Sequence, residues 1–113
     1  MVEWHVDHFG ELVSLLRDTP EAGGSLLDSC AMVFLIEGGF RSGTGSVPGG
    51  QSHTTENMAC LVAGGAGGLR QGEHVVAPDG SHPANVLVTL MNAVGVSTSA
   101  LGDVQGTIPG LLG

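Results

Sequence analysis

The chain contains no lysine, and its only cations among 113 residues are three arginines, Arg17, Arg41 and Arg70. Charged residues make up 12% of the sequence, about half the share of an average globular protein. Eleven of them are acidic, which gives a formal net charge of −8. Because proteins bind nucleic acid through clustered cations that release counterions, this deficit excludes a duplex-binding surface. It also argues against docking on an anionic membrane.

The sequence lacks a long apolar run as well. The longest, Ala31–Ile36, is far shorter than the ~20 residues that a transmembrane helix needs. The start, Met1–His5, carries an acid instead of lysine or arginine, and no apolar segment follows it. The sequence therefore predicts neither a membrane span nor a signal peptide. If the chain is complete as given, we expect a cytoplasmic protein.

Cysteine is scarce too. Cys30 and Cys60 are too few for a disulfide-stabilised scaffold. Since free cysteine packs as a small hydrophobe, we expect two buried thiols in strands. A bridge between neighbouring strands stays open, because sequence spacing alone does not decide it.

Glycine, in contrast, is abundant, with 20 residues. The glycines do not fall at every third position, which excludes collagen, and the apolar content of 42% is too high for simple disorder. The length predicts a single domain over residues 1–113.

Two segments have the apolar spacing of amphipathic helices. The first covers residues 2–18 and ends at Thr19-Pro20, because the residue before a proline is pushed out of the helical region. The second covers residues 83–94, with Pro83 in its first turn and Gly95 at the C-terminal cap. The apolar residues that recur at steps of three and four are Val2, Val6, Phe9, Val13 and Leu16, then Leu87, Leu90, Met91 and Val94.

Two other segments, 30–36 and 58–63, are continuous apolar runs, which favour strands that are covered on both faces, as in a parallel sheet. Residues 73–77 are predicted as a short edge strand. Residues 37–57 are predicted as a long glycine-rich loop, and residues 97–113 as an irregular tail. The fold class predicted from this order is α/β, with a small, layered and mostly parallel sheet between flanking helices.

The best-placed pair of chemical groups is Glu37 and His53. Glu37 directly follows the first predicted strand, and His53 lies near the end of the glycine-rich loop. Ligands gather beyond the carboxyl ends of parallel strands, so this carboxylate and imidazole are candidate ligands for a divalent metal such as zinc, calcium or manganese. The alternative is that both are ordinary loop residues, because a catalytic zinc takes three protein ligands.

Other candidates carry weaker signals. His5 and His8 stand three apart on the first helix beside Asp7, which permits either a metal pair or an exposed polar face. His74 and His82 have no obvious partners. The glycine run 64–68 lacks the Gly-Lys-Ser/Thr ending of a phosphate-binding loop, and no serine lies in a G-x-S-x-G motif. We therefore predict no catalytic residue.

Several short stretches, spread in order along nearly the whole chain, are similar in sequence to those of a known group of proteins. They are Leu16-Arg17-Asp18-Thr19-Pro20-Glu21, Gly24-Ser25-Leu26-Leu27-Asp28, Ile36-Glu37-Gly38, His53-Thr54, Leu61-Val62-Ala63-Gly64-Gly65, Gly72-Glu73-His74, Asn85-Val86-Leu87 and Leu101-Gly102-Asp103. This ordered set resembles the C-terminal region of the bacterial domain-of-unknown-function families 1552 and 1501, relatives of the alkaline phosphatases and sulfatases.

The resemblance implies an alkaline-phosphatase-like fold of which this chain supplies only the last third. It implies that His53 lies where those enzymes carry a late zinc-binding histidine, and that Glu37 lies near an earlier acidic ligand. Ile36 replaces the family's usual serine, and Gly38 leaves Glu37 without an adjacent histidine. The nucleophile and the first metal-binding acid belong to an N-terminal part that this sequence does not contain. Such relatives are typically exported.

From these observations we expect a module without independent catalysis that associates with itself or with a partner. The alternatives are a metal-dependent phosphate or sulfate ester hydrolase, or a small metal-binding protein, using Glu37 and His53. Self-association follows because two helices give limited cover to strands 30–36 and 58–63, and because a truncated sheet leaves an open edge. We therefore predict a homo-oligomer.

Overall fold

The structure, a computed structural model, describes residues 1–36, 38–41 and 51–113, and for residues 40, 41 and 51–53 it describes the backbone only. Two α-helices and four short β-ribbons make up its regular structure. In chain order the elements are α1 (Val2–Arg17), β1 (Pro20–Glu21), β2 (Gly24–Ser25), β3 (Met32–Leu35), β4 (Gly39–Arg41), β5 (Gln51–Thr54), β6 (Cys60–Ala63), α2 (Pro83–Ala93), β7 (Ala100–Leu101) and β8 (Val104–Gln105). Short 3₁₀ turns cover Leu26–Ser29 and Ala66–Gly68.

The predicted layered, mostly parallel sheet is wrong. In the described part of the chain every sheet has two strands, and every pair is antiparallel. The two apolar runs do lie side by side, as β3 and β6, but they run in opposite directions with Val33 opposite Val62.

The continuous apolar character of these strands has another cause than a parallel sheet. Val33 and Val62 pack against the hydrophobic core, whereas Phe34, on the other face, stacks on Phe9 of α1 with ring centroids 5.9 Å apart. Because β3 has apolar contacts on both of its faces, it lacks the hydrophobic–polar alternation that usually marks an antiparallel pair.

Three smaller predictions also need correction. The glycine-rich loop predicted for residues 37–57 contains the β4–β5 ribbon, while Glu37 and residues 42–50 of that loop lie outside the described residues. Residues 73–77 form no strand; Val75 packs on the core and Val76 is 80% exposed. The tail predicted as irregular contains the β7–β8 hairpin.

Helix α2 is the centre of the core. Six of its residues are buried, which are Asn85, Val86, Val88, Thr89, Leu90 and Ala93. The core cluster is completed by residues from the turn after β6 and from the C-terminus, namely Ala66, Leu69, Ile108 and Leu111. By contrast α1, all of whose residues the structure describes, has no buried residue.

Both ends of α2 are capped by the residues beside it. The imidazole Nδ1 of His82 accepts a hydrogen bond from the Ala84 N–H at 3.0 Å, and the Asn85 side chain accepts one from the His82 N–H at 2.8 Å. Gly95 follows the helix with a φ of +86°, a conformation that glycine adopts without steric cost. His82, which has no obvious partner in the sequence, is therefore the N-cap of α2.

Candidate functional site

His53 occupies a β-bulge. Gly39 of β4 lies opposite Thr54, but the next residue, Phe40, lies opposite Ser52, so that His53 is the extra residue of β5. Bulges bend a strand and redirect a side chain, and they occur often beside functional sites. The bulge is a backbone feature of β5 and does not test whether His53 binds a metal.

The close approach of β4 and the following chain requires glycine at position 39. A Cβ atom placed on Gly39 would overlap the carbonyl oxygen of Glu56 and lie 2.9 Å from Cγ of Met58. Gly39 stands two residues after Glu37, which lies outside the described residues. The structure thus places the backbone of His53 on the β4–β5 ribbon. The pairing of Glu37 with His53 is not tested and stays a prediction.

Metal-ligand clusters are not found in the described part of the chain, where no group of three or more His, Cys, Asp or Glu side chains could hold an ion. The remaining histidines are spread out, with His5 and His8 on α1, His82 capping α2 and His74 exposed in the segment that precedes it.

His5 and His8 are organised around an aromatic ring. The Trp4 ring meets His5 edge-on at 5.0 Å and His8 at 4.0 Å with an interplanar angle of 36°. Nδ1 of His5 lies 2.8 Å from the Met1 carbonyl oxygen, and Nδ1 of His8 lies 2.8 Å from that of Trp4. Since a carbonyl oxygen only accepts, each Nδ1 carries a proton and donates. All three rings lie on the exposed surface of α1.

The two cysteines are free and half-buried. Burial raises the pKa of the Cys60 thiol, which makes it a poor nucleophile at neutral pH. Leu35 lies opposite Cys60 at one end of the β3–β6 ribbon, whereas Cys30 precedes the other end of β3. The bridge that the sequence left open is therefore not formed.

The glycine run 64–68 serves close packing. A Cβ on Gly64 would overlap the Cys30 carbonyl oxygen, and one on Gly67 would overlap the backbone of Ala93 at the end of α2. Gly64 and Gly67 also have φ values of +110° and +58°. These positions join the β3–β6 ribbon to α2, so their glycines are explained by structure and not by phosphate binding.

A polar row on α2 is the feature that the sequence interpretation missed. Asn85 donates from Nδ2 to the carbonyl oxygens of Gln105 and Gly106 at 2.8 and 2.9 Å, and the fully buried Thr89 accepts from the Ile108 N–H at 2.8 Å. Asn92 donates from Nδ2 to the Thr98 carbonyl oxygen at 2.8 Å. The sequence signal would have been three polar residues at helical spacing i, i+4 and i+7 inside an apolar helix. Their role is to fasten the C-terminal segment to α2.

The described surface includes an open apolar groove of about 350 Å³. It lies between β3, α2 and β7, and its lining is Ala31, Val33, Leu87, Leu90, Met91, Val94 and Leu101. Polar side chains are absent from this lining, so the groove can take an apolar group and offers no hydrogen bond from a side chain to orient a substrate.

Comparison with known proteins gives no relative for this chain. No family model matches it, and neither a curated protein nor a solved structure is similar to it. The resemblance to the domain-of-unknown-function families 1552 and 1501 consequently rests on the sequence stretches alone. Among the described residues, no helix is both long enough and apolar enough to span a bilayer.

Proposed function

We propose that the chain is an association module without catalysis of its own, which buries its apolar surface against a second copy of itself. The resemblance to the C-terminal region of the domain-of-unknown-function families 1552 and 1501 supports a module of this kind, and the parallel sheet it implied is not part of the proposal. The observation that carries the proposal is the apolar groove beside β3, together with the large hydrophobic side chains that the chain leaves exposed.

The accessible surface is large for the mass. The chain exposes 7396 Å², whereas a folded monomer of 11.4 kDa is expected to expose about 5,800 Å². A total surface does not separate apolar from polar area, so the proposal rests on which hydrophobic side chains are exposed.

Large hydrophobic side chains are prominent on this surface. Those at least one-third exposed are Met1, Val2, Trp4, Leu12, Leu15, Leu61, Val76, Val94, Val96 and Leu101. Val94 and Leu101 also line the groove beside β3. The groove is the contiguous part of this exposed apolar surface, and contiguous apolar patches mark interaction sites in soluble proteins.

The β3–β6 ribbon adds unpaired backbone groups beside the same groove. Among the described residues neither strand has a further strand neighbour, and Val33 of β3 lines the groove. An isolated two-stranded ribbon is marginally stable and gains from an additional strand, while an open edge is a template for pairing with another chain. We place the self-association interface at the groove and this edge.

The experiment is sedimentation velocity on the chain and on two surface variants. Leu101→Asp puts a charge into the groove at a position that is 38% exposed, so the fold tolerates the change while the interface does not. We expect the wild-type chain to sediment as a dimer or larger species and Leu101→Asp to sediment as a monomer.

The matched control is Val76→Asp, at a position that is 80% exposed and outside the groove. It should sediment like the wild-type chain. Equal dissociation of both variants would mean that added charge acts nonspecifically, and it would remove the groove from the proposal.

The absence of catalysis has its own test. No observation on the described residues favours the alternative of an ester hydrolase that uses Glu37 and His53. We expect no turnover of nitrophenyl phosphate or nitrophenyl sulfate by the purified chain with zinc, calcium or manganese. Metal-dependent turnover that is lost in His53→Ala would overturn this part of the proposal.

A further inference from the structure

A second apolar surface lies on α1 and is separate from the groove. We propose that the exposed face of α1 binds an amphipathic helix of another protein whose apolar stripe is flanked by lysine or arginine. This inference goes beyond the proposed self-association, because it names a different surface and a different partner.

Helix α1 has two apolar faces, and only one of them is used within the chain. Val6, Phe9, Val13 and Leu16 are half-buried, and Phe9 stacks on Phe34 of β3. The second face, which we call the outer stripe, consists of Trp4, His8, Leu12 and Leu15. These residues follow one another at steps of four, four and three, so they lie along one side of the helix.

The outer stripe is exposed although it is strongly apolar. Trp4 is 60%, Leu12 47% and Leu15 65% exposed. The Trp4 ring is held against His5 and His8, so a partner would meet a side chain that is already ordered. Aromatic and leucine anchors at helical spacing are what a second helix packs against.

A row of carboxylates borders the outer stripe. Glu3, Asp7 and Glu11 each precede a stripe residue by one position and are all exposed. Among the described residues the ion pairs are Arg17 with Asp18 and Arg70 with Glu73, so none of the three carboxylates has a cationic partner there. Charges that flank an apolar helix stripe determine which helix pairs with it.

The negative charge of this row of carboxylates determines which kind of helix can bind to the outer stripe. A second copy of the chain would bring its own acidic row and no lysine, with a net charge of −8, so that like charges would meet across the interface. An anionic membrane is repelled for the same reason. A helix whose apolar stripe is flanked by lysine or arginine would pack against the outer stripe and pair its cations with the row of carboxylates.

The experiment uses two synthetic helical peptides that share one leucine stripe and contain no tryptophan. One peptide carries lysine on its flank and the other carries glutamate at the same positions. Trp4 is the only tryptophan of the chain, so its emission reports on the stripe directly. We expect the lysine peptide to shift the emission to the blue and the glutamate peptide to leave it unchanged.

Variants of the chain test whether the outer stripe and the row of carboxylates each contribute to peptide binding. Leu15→Asp should weaken binding of the lysine peptide by about tenfold or more, whereas Val76→Asp, on a different exposed segment, should not.

The double change Asp7→Lys with Glu11→Lys should transfer the preference to the glutamate peptide. The matched double change Asp79→Lys with Asp103→Lys, at exposed residues outside α1, should leave the preference as it is. Circular dichroism checks that each variant keeps its helix content.

Three results would overturn the inference: equal binding of both peptides, binding of neither, or a blue shift that grows with chain concentration in the absence of peptide, which would show that a second copy covers the stripe. Light scattering on the same samples keeps the two proposals apart. A monomeric chain that still prefers the lysine peptide would remove the proposed self-association and support this inference.

Discussion

At the scale of single residues, polar side chains inside α2 decide how the C-terminal segment is held. Thr89 is fully buried, and its hydroxyl both donates to the Asn85 carbonyl oxygen at 2.7 Å and accepts from the Ile108 N–H at 2.8 Å. A buried donor left without an acceptor costs more than a hydrogen bond contributes. We therefore expect the free energy of unfolding to be most sensitive to a small substitution at Thr89.

Thr89→Val keeps the shape of the side chain and removes its oxygen. We expect the free energy of unfolding to fall by about 1–3 kcal/mol, because the Ile108 N–H loses its acceptor in the interior. Urea unfolding followed by circular dichroism measures the change. Thr107→Val, at an exposed residue, is the control and should change stability little. An equal effect of the two substitutions would contradict the role given to Thr89.

Cys60 leads to a prediction about pH. Burial raises the pKa of its thiol, so the thiolate is scarcer in the folded chain than in the unfolded chain. The neutral thiol's contribution to stability is therefore complete at neutral pH and is lost as the pH rises above the ordinary cysteine pKa.

The measurement is the rate of Cys60 alkylation by iodoacetamide against pH, read by mass spectrometry. We expect the reaction of the folded chain to be slower than that of the urea-unfolded chain at neutral pH, and its rise to occur at higher pH. Identical rate profiles for the folded and unfolded chains would show that burial does not protect this thiol.

At the scale of elements, the helices could be predicted from the sequence and the strand directions could not. The helix boundaries predicted at 2–18 and 83–94 lie within one residue of α1 and α2, because Pro20, Pro83 and Gly95 act on their own neighbours. Strand direction depends on which distant segment covers each face. Phe9 covers the outer face of β3, and no local signal around residues 30–36 contains that contact.

The candidate ligand pair shows the same limit. The position of His53 after a glycine-rich segment could be read from the sequence, but the bulge at this position arises from the register of β4 on β5. Register is set by pairing between residues that are distant in sequence. The exposed second face of α1 is equally hard to recognise, because its spacing resembles that of a face that packs inward.

Two glycines on different elements provide a matched test of this account. Gly10 lies inside α1, where an added Cβ would have nothing within 4 Å, whereas a Cβ on Gly39 would overlap the Glu56 carbonyl oxygen. Gly10→Ala should raise the free energy of unfolding by about 0.5–1 kcal/mol, the difference in helix propensity. Gly39→Ala should lower it, because β4 must move away from the chain it contacts.

Thermal unfolding of the two variants measures both effects under the same conditions. A loss of stability in Gly10→Ala would show that this side of α1 is not open. An unchanged stability in Gly39→Ala would show that β4 does not approach residue 56 as closely as described.

At the scale of the whole molecule, a small core is combined with many exposed hydrophobic side chains. The buried hydrophobic residues gather around α2, while α1 contributes none. Such an arrangement is stable when another polypeptide covers what the chain leaves exposed. The high negative charge keeps this surface soluble until a partner covers it.

The most direct measurement of this claim is the mass of the wild-type chain by size-exclusion chromatography with light scattering across a concentration series. We expect a mass that rises with concentration to at least about twice the monomer's 11.4 kDa. A constant monomer mass at the highest concentrations would contradict the proposed self-association.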